Sequence, residues 1–317
     1  MTYRFAMDRR SAIRGPYGES VTHTYYKTAL AIFLFVAMLM VPVTEGIAKS
    51  SKKATSKHRA AKIAAARNPQ KLVIRSASAL VEDQRTGKLL IQKQPGAVVP
   101  IASITKLMTA MVVLDAESDL EEMLTIDKTD MDMIRHSRSR LPVGSSITRR
   151  DALLVALMAS DNRAAHALGR TYPGGMAACV AAMNFKARKL GMSETRFTDP
   201  TGLSSGNVSS ARDLVRLVDE AYQYQLIRTF STSKKASIDT GRRIVEFHNT
   251  NLLIQNPRWQ IGLSKTGFIG EAGRCLVMQA YVAQRPVLII LFDSQGRLTR
   301  VGDANRIKKW LERPHSL

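Results

Sequence analysis

A serine hydroxyl, an amine three residues later, a second serine with an asparagine, and a late second amine are the reactive groups this sequence sets apart. They lie in Ser103-Ile104-Thr105-Lys106, Ser160-Asp161-Asn162 and Lys265-Thr266-Gly267, in that chain order. Together they hold the parts of a serine acyl-transfer site that works without histidine. A serine hydroxyl is a weak nucleophile at neutral pH and needs a base beside it. Three residues apart on a helix, Ser103 and Lys106 share a face, so Oγ and Nζ can meet. A lysine that is desolvated and crowded by other cations loses proton affinity and becomes such a base. The amides of a helix N-terminus at Ser103 would face the reacting carbonyl.

Each cluster also has a plainer reading. Ser-x-x-Lys recurs at Ser50-Ser51-Lys52-Lys53 and Ser231-Thr232-Ser233-Lys234. Both lie in polar, charged stretches and read as solvated surface pairs, whereas an apolar helix pattern follows Ser103 at once. Ser160-Asp161-Asn162 follows an apolar helix where the chain must turn. Ser160 could relay a proton between Lys106 and a leaving amine, and Asn162 could hydrogen-bond the lysine and a substrate amide. The same three residues are natural helix caps. A decoy, Ser205-Gly206-Asn207, sits in a Gly/Ser-rich loop with no helix before it and is set aside. On a strand, Lys265 and Gly267 face one way and Thr266 the other. A lysine within an apolar run is costly unless it serves something. Lys265 would raise the local potential, lower the proton affinity of Lys106 and attract a carboxylate. Gly267 would let a substrate backbone lie close to the strand. As an isolated motif, Lys-Thr-Gly equally suits an edge-strand turn.

The elements that must position these groups are legible in part. Ser76 to Val81 and Lys88 to Gln92 flank Asp83-Gln84-Arg85-Thr86-Gly87, a hairpin signal. A helix is expected at Ser103, another from Thr148 through Met158, a third just after Asp161-Asn162, then Met176 to Leu190 and Ala211 to Tyr222. Residues 117–151 read as polar and broken. Leu263 to Ile269, Cys275 to Val282 and Pro286 to Phe292 read as antiparallel strands, and Arg300 to Leu311 as a closing helix. The expected architecture is α+β: an antiparallel sheet made from both ends of the ordered chain, with an all-helical region inserted between, at about 117–225.

The 317 residues carry a net charge of +21, which implies an anionic partner such as nucleic acid, an anionic membrane face or an acidic polymer. Part of that charge is the acid-free stretch 49–67, which reads as a solvated tether within a basic linker at 49–71. No aromatic residue lies between its cations, so base stacking is unsupported and nucleic acid is not expected. Arg4, Arg9, Arg10, Arg14 and Lys27 precede an unbroken apolar run from Ala29 to Val41, too short for the ~20 residues that span a bilayer. Residues 1–48 therefore read as an export signal, with an uncleaved anchor as the competing reading and the periplasm as the expected compartment. The ordered domain is expected over 72–313 with a tail at 314–317. Cys179 and Cys275 read as small buried hydrophobes. The histidines form no metal spacing, His166 and His248 read as structural, and neither a metal nor a cofactor is expected.

The segments Pro100-Ile101-Ala102-Ser103-Ile104-Thr105-Lys106-Leu107-Met108-Thr109, Tyr172-Pro173-Gly174-Gly175, Pro200-Thr201-Gly202-Leu203 and Ser210-Ala211-Arg212-Asp213-Leu214 resemble the low-molecular-mass penicillin-binding proteins. Thr266-Gly267-Phe268 with Ala272-Gly273-Arg274-Cys275-Leu276-Val277-Met278 is similar to the D-alanyl-D-alanine endopeptidases among them. The resemblance covers roughly Ser76 to Leu311. It implies the penicilloyl serine transferase fold, with the cleft between sheet and helical region. It also implies Ser103 as nucleophile, Lys106 as base, Ser160 with Lys265 as proton shuttle, and Asn162, Lys265, Thr266 and Gly267 as substrate-binding residues. The backbone N–H groups of Ser103 and Phe268 would form the oxyanion hole. The implied substrates are peptidoglycan stem peptides. β-Lactams would be acylating inhibitors, and other cell-wall enzymes would be partners.

Carboxypeptidase relatives often carry Asn-Arg-Asn on the segment before Lys-Thr-Gly, where the arginine helps bind a terminal carboxylate. Here the run is His248-Asn249-Thr250-Asn251, which favours cutting an internal cross-link over trimming a free D-alanine. No additional C-terminal β-domain is expected. The expected activity is hydrolysis of D-alanyl–meso-diaminopimelate cross-links, with D-Ala-D-Ala carboxypeptidase as the alternative. A β-lactamase is disfavoured because no deacylating Glu segment stands between Asn162 and Lys265. A non-catalytic wall-binding protein on the same fold is the alternative from another class.

Overall fold

The computed structural model describes residues 72–313, which fall within one compact unit. The expected export segment, basic linker, first Ser-x-x-Lys pair and C-terminal tail lie outside the described residues.

The strands are β1 (Ser78–Asp83), β2 (Leu89–Lys93), β3 (Val99–Pro100), β4 (Met123–Thr125), β5 (Ser146–Thr148), β6 (Val208–Ser209), β7 (Lys235–Asp239), β8 (Ile244–His248), β9 (Gln260–Ile269), β10 (Gly273–Val282) and β11 (Arg285–Ser294). The α-helices are α1 (Thr105–Asp115), α2 (Arg149–Met158), α3 (Asn162–Arg170), α4 (Gly175–Lys189), α5 (Ala211–Gln223), α6 (Gln225–Thr232) and α7 (Thr299–Leu311).

One five-stranded antiparallel sheet runs β2-β1-β11-β10-β9. Its centre joins the two ends of the domain, with Leu80 opposite Ile290 and Val81 opposite Ile289. Along β10, Cys275 and Val277 pack with the helical region, while Leu276, Met278, Ala280 and Val282 pack on the other side with Ala304, Ile307 and Leu311 of α7. Both faces are covered, so these strands read as near-continuous apolar runs rather than alternating ones. On β9 the same period puts Leu263, Lys265, Gly267 and Ile269 on the helical face. Leu263 and Ile269 belong to the helical-side core.

The helices form where caps and apolar faces dictate. Thr148 Oγ1 accepts from Asp151 N at 3.0 Å and starts α2. Asp161 Oδ1 accepts from Ala164 N at 3.0 Å and starts α3. Helix α1 is buried all round, from Thr105 to Val113, and packs against α2, α3, α4 and α5. Its position at the centre of the helical region fixes where Lys106 can reach.

Several elements were not anticipated. The broken segment 117–151 holds the paired strands β4 and β5 and a 3₁₀ turn at Lys128–Asp130. Helix α6 and the hairpin β7–β8 lie where the sequence looks polar. This corrects the reading of Ser231-Thr232-Ser233-Lys234 as a surface pair. Ser231 is buried at the end of α6, and its Oγ accepts from Ser264 N on β9 at 3.3 Å. Ile227 and Phe230 supply the apolar anchor of this short helix, too few positions for a periodic signal.

Candidate active site

The first reactive segment is a turn before it is a helix. Ala102–Ile104 is a 3₁₀ turn and α1 begins at Thr105, so the helix expected at Ser103 starts two residues later. Ala102 holds φ +49, a left-handed conformation that costs energy for a residue with a Cβ. The turn is held from both sides by glycine backbone. A Cβ on Gly202 would stand 2.0 Å from Ala102 O, and one on Gly267 would stand 3.0 Å from Ile101 O and 3.1 Å from Ser103 N. Gly267 thus permits a close approach of the chain's own nucleophile turn, a demand for glycine additional to the substrate approach expected from the sequence.

Lys106 is fully buried and donates to three oxygens: Ser103 Oγ at 2.9 Å, Asn162 Oδ1 at 2.7 Å and Thr201 O at 2.7 Å. A neutral amine has two N–H donors and one lone pair. Asn162 Oδ1 and the Thr201 carbonyl can only accept, so they take the two donors. The lone pair is then left for the hydroxyl of Ser103. Burial pushes the Lys106 ammonium down to about 8, against the pull of Asp199, Asp161 and Asp132. The leading cause is desolvation, one of the two causes expected from the sequence.

Lys265 is equally buried, and its Nζ donates to Ser160 Oγ at 2.8 Å and to Thr266 O at 3.0 Å. Burial, then repulsion from Lys106 and Arg300, holds it well below the usual lysine range. Ser160 sits at φ +61, a strained backbone that presents its hydroxyl between the α2 and α3 ends. The capping reading of this cluster holds alongside. Asp161 caps α3, while Asn162, the first residue of α3, donates through Nδ2 to Ser137 Oγ at 2.7 Å. Thr266 Oγ1 lies 2.6 Å from Thr250 Oγ1. The Phe268 side chain is exposed, with the Arg274 guanidinium over its ring. Strand β9 is a sheet edge, so its outer side can meet a ligand where Ser231 Oγ and Lys265 Nζ do not already take the backbone of Ser264 and Thr266.

Two further contributors were invisible as chemistry in the sequence. The Thr201 carbonyl reaches Lys106 from a loop built around Asn207, the residue of the rejected decoy. Asn207 Oδ1 accepts from Thr198 N at 2.6 Å and Asp199 N at 3.2 Å. Its Nδ2 donates to Thr105 Oγ1 at 3.1 Å. Across the cleft, Arg135 Nη2 pairs with Glu271 Oε1 at 2.9 Å, joining the loop after β4 to the β9–β10 turn. Among the described residues no cluster of His, Cys, Asp or Glu is suited to a metal. Cys179 and Cys275 are free and buried, their thiols pushed up to about 12 by burial. His166 Nδ1 lies 2.7 Å from the buried Asp130 carboxylate, and His248 pairs with Glu246.

A family model described as D-alanyl-D-alanine carboxypeptidase, the peptidase S11 family, matches residues 63–296. The chain belongs to this family. It is 50% identical over 246 residues to a D-alanyl-D-alanine endopeptidase of Pseudomonas aeruginosa, covering 77% of this chain and 79% of that one. It is 45% identical over 254 residues to a D-alanyl-D-alanine endopeptidase of Escherichia coli, covering 80% and 82%. Among solved structures it superposes on the Streptomyces K15 DD-transpeptidase with a TM-score of 0.71 at 28% identity, covering 76% of this chain and 98% of that one. A penicillin-binding protein D2 of Listeria monocytogenes in its ampicillin-bound form gives 0.67 at 27% identity, covering 77% and 99%. The fold is thus the penicilloyl serine transferase fold, and the chain is a serine peptidase of that class.

Proposed function

We propose that this S11 peptidase is a DD-endopeptidase that opens D-alanyl–meso-diaminopimelate cross-links in peptidoglycan through an acyl-enzyme on Ser103. The observation that carries the proposal is the hydrogen-bond set around Lys106, which leaves the lone pair of a neutral amine for one hydroxyl. Ser103 Oγ attacks the D-alanine carbonyl carbon, and its proton passes to Lys106 Nζ. The oxyanion is held by the N–H groups of Ser103 and Phe268. The proton reaches the leaving amine through Ser160 Oγ, which Lys265 orients, and the C–N bond breaks. Asn162 and Thr266 align the substrate along the edge of β9. Water then attacks the ester, returns a proton to Ser103 and frees the acid. β-Lactams acylate Ser103 by the same first step. Among the described residues no Glu carboxylate hydrogen-bonds to Ser103, Lys106, Ser160 or Lys265, which fits slow release of the adduct.

Cleavage of a cross-link in preference to a chain end is supported by the names of the two relatives above and by Thr250, in the segment where carboxypeptidase relatives often carry an arginine. Incubation with cross-linked dimer and with pentapeptide monomer is the test. Dimer cleavage is the expected result, and activity on the pentapeptide alone would overturn the endopeptidase assignment in favour of the carboxypeptidase. Ser103→Ala is expected to lose hydrolysis while keeping binding to wall polymer. Unchanged hydrolysis would remove Ser103 from the mechanism. The proposed compartment is the periplasm, supported by the basic and then apolar start of the sequence. Among the described residues no helix is long and apolar enough to cross a membrane.

A further inference from the structure

A cavity of about 240 Å³ lies beside the relay serine, lined in part by Arg138, Arg140, Ser160, Asn162, Phe247 and His248. Ser160 serves the departing amine in the mechanism above, so whatever hangs from that amine extends toward this side.

The charges of the lining do not cancel. Arg140 Nη1 donates to Glu246 O at 2.7 Å, and His248 Nε2 lies 2.9 Å from Glu246 Oε1. The acid in the lining, Asp161, is buried and turned into its own helix cap, accepting from Ala164 N and from Ser139 Oγ at 2.7 Å. Among the described residues Arg138 has no hydrogen-bond or ion-pair partner, and its side chain is exposed. The side chains of its two neighbours are tied to the relay motif. Asn162 Nδ2 donates to Ser137 Oγ, and Ser139 Oγ donates to Asp161. Ser137 N is in turn held by Asp132 Oδ2 at 2.9 Å. An unpaired guanidinium is thus carried to the leaving-group side of the cleft on an anchored segment.

We infer that Arg138 binds the carboxylate borne by the carbon next to the departing amine, and so sets specificity on the leaving-group side. This rests on the acyl-transfer reading above. A guanidinium presents two parallel N–H donors that match a carboxylate's two oxygens. On the sheet side Thr250 carries no charge, and Lys265 Nζ is engaged by Ser160 Oγ and Thr266 O. Arg138 supplies the cation from the helical side, where a leaving group larger than one residue has room to continue into the cavity.

The test compares wild type with Arg138→Gln on cross-linked dimers whose carboxylate at that carbon is free or converted to carboxamide. The same pair of pentapeptides is run beside them. With the free carboxylate, Arg138→Gln raises KM by about 10- to 100-fold, the loss of one charged hydrogen-bonded contact, while kcat changes little. On the carboxamide substrates the variant and wild type are alike. Arg138→Lys, which keeps the charge without the fork, recovers part of the loss. Equal losses on free and amidated substrates, or no loss on either, overturn the inference. A wild-type enzyme that cleaves only the pentapeptides overturns the endopeptidase assignment alone. The pentapeptide pair then decides the arginine contact.

Discussion

The carbonyl oxygen of Thr201 accepts a 2.7 Å hydrogen bond from Lys106 Nζ, so a main-chain group with no side-chain chemistry helps decide where the lysine's lone pair points. With Asn162 Oδ1 it occupies both donors of the neutral amine. The base is oriented by exclusion: each other direction around the nitrogen is already taken.

The first prediction concerns pH. Burial sets Lys106 at about 8, so the ammonium dominates at lower pH and the free amine at higher pH. The base is the neutral form. The second-order rate of Ser103 acylation by a β-lactam therefore rises about tenfold per pH unit on the acid side and levels off above about pH 8. Stopped-flow acylation between about pH 6 and 9 reads it, and a flat profile would contradict Lys106 as base.

Replacing Lys106 with arginine keeps the cation and removes the lone pair, because a guanidinium stays protonated. Acylation is expected to fall by about 10³-fold or more. Mass spectrometry after benzylpenicillin treatment is the measurement. A full-occupancy adduct on Ser103 at the wild-type rate would exclude the proposed proton transfer.

Asn207 tests the loop that carries Thr201. It is fully buried, and its amide ties the loop's backbone to Thr105. Asn207→Ala leaves several buried groups unpaired and is expected to cost about 2–4 kcal/mol of stability. Its residual folded enzyme should acylate slowly. Urea unfolding and adduct formation measured on one sample separate the two effects. Unchanged values for both would return Asn207 to the status of an ordinary loop residue.

Thr250→Arg places a guanidinium beside Thr266, whose hydroxyl now lies 2.6 Å from Thr250 Oγ1. Release of D-alanine from pentapeptide is expected to rise relative to dimer cleavage by about tenfold, the scale of one charged contact. The ratio of the two products by chromatography is the readout, and a ratio that stays put would remove position 250 from substrate choice.

The central helices and the three long strands were legible because their signals are local. Thr148, Asp161 and Ser210 cap the helices that follow them, and the middles of β10 and β11 are buried, largely apolar runs. Ser103, Lys106, Ser160, Asn162 and Lys265 were legible from residue type and order, and folding gathers them into two hydrogen-bonded sets, Ser103 and Asn162 on Lys106 and Ser160 on Lys265. What was not legible is long-range or main-chain. The Thr201 carbonyl has no residue-type signature. Helix α6 draws its stability from packing on β9, and Ser231 was misjudged for that reason. The closeness of Gly267 to the Ile101–Ser103 turn, a long-range contact, had no sequence signal.

Gly202 and Gly267 press bare main chain against the turn that bears Ser103, one from the loop after α4 and one from the late strand β9. The working posture of the hydroxyl therefore cannot exist until the far end of the domain has been threaded into place. A chain that stops short of β9 is therefore expected to lack one support of that turn and to take up little covalent antibiotic tag.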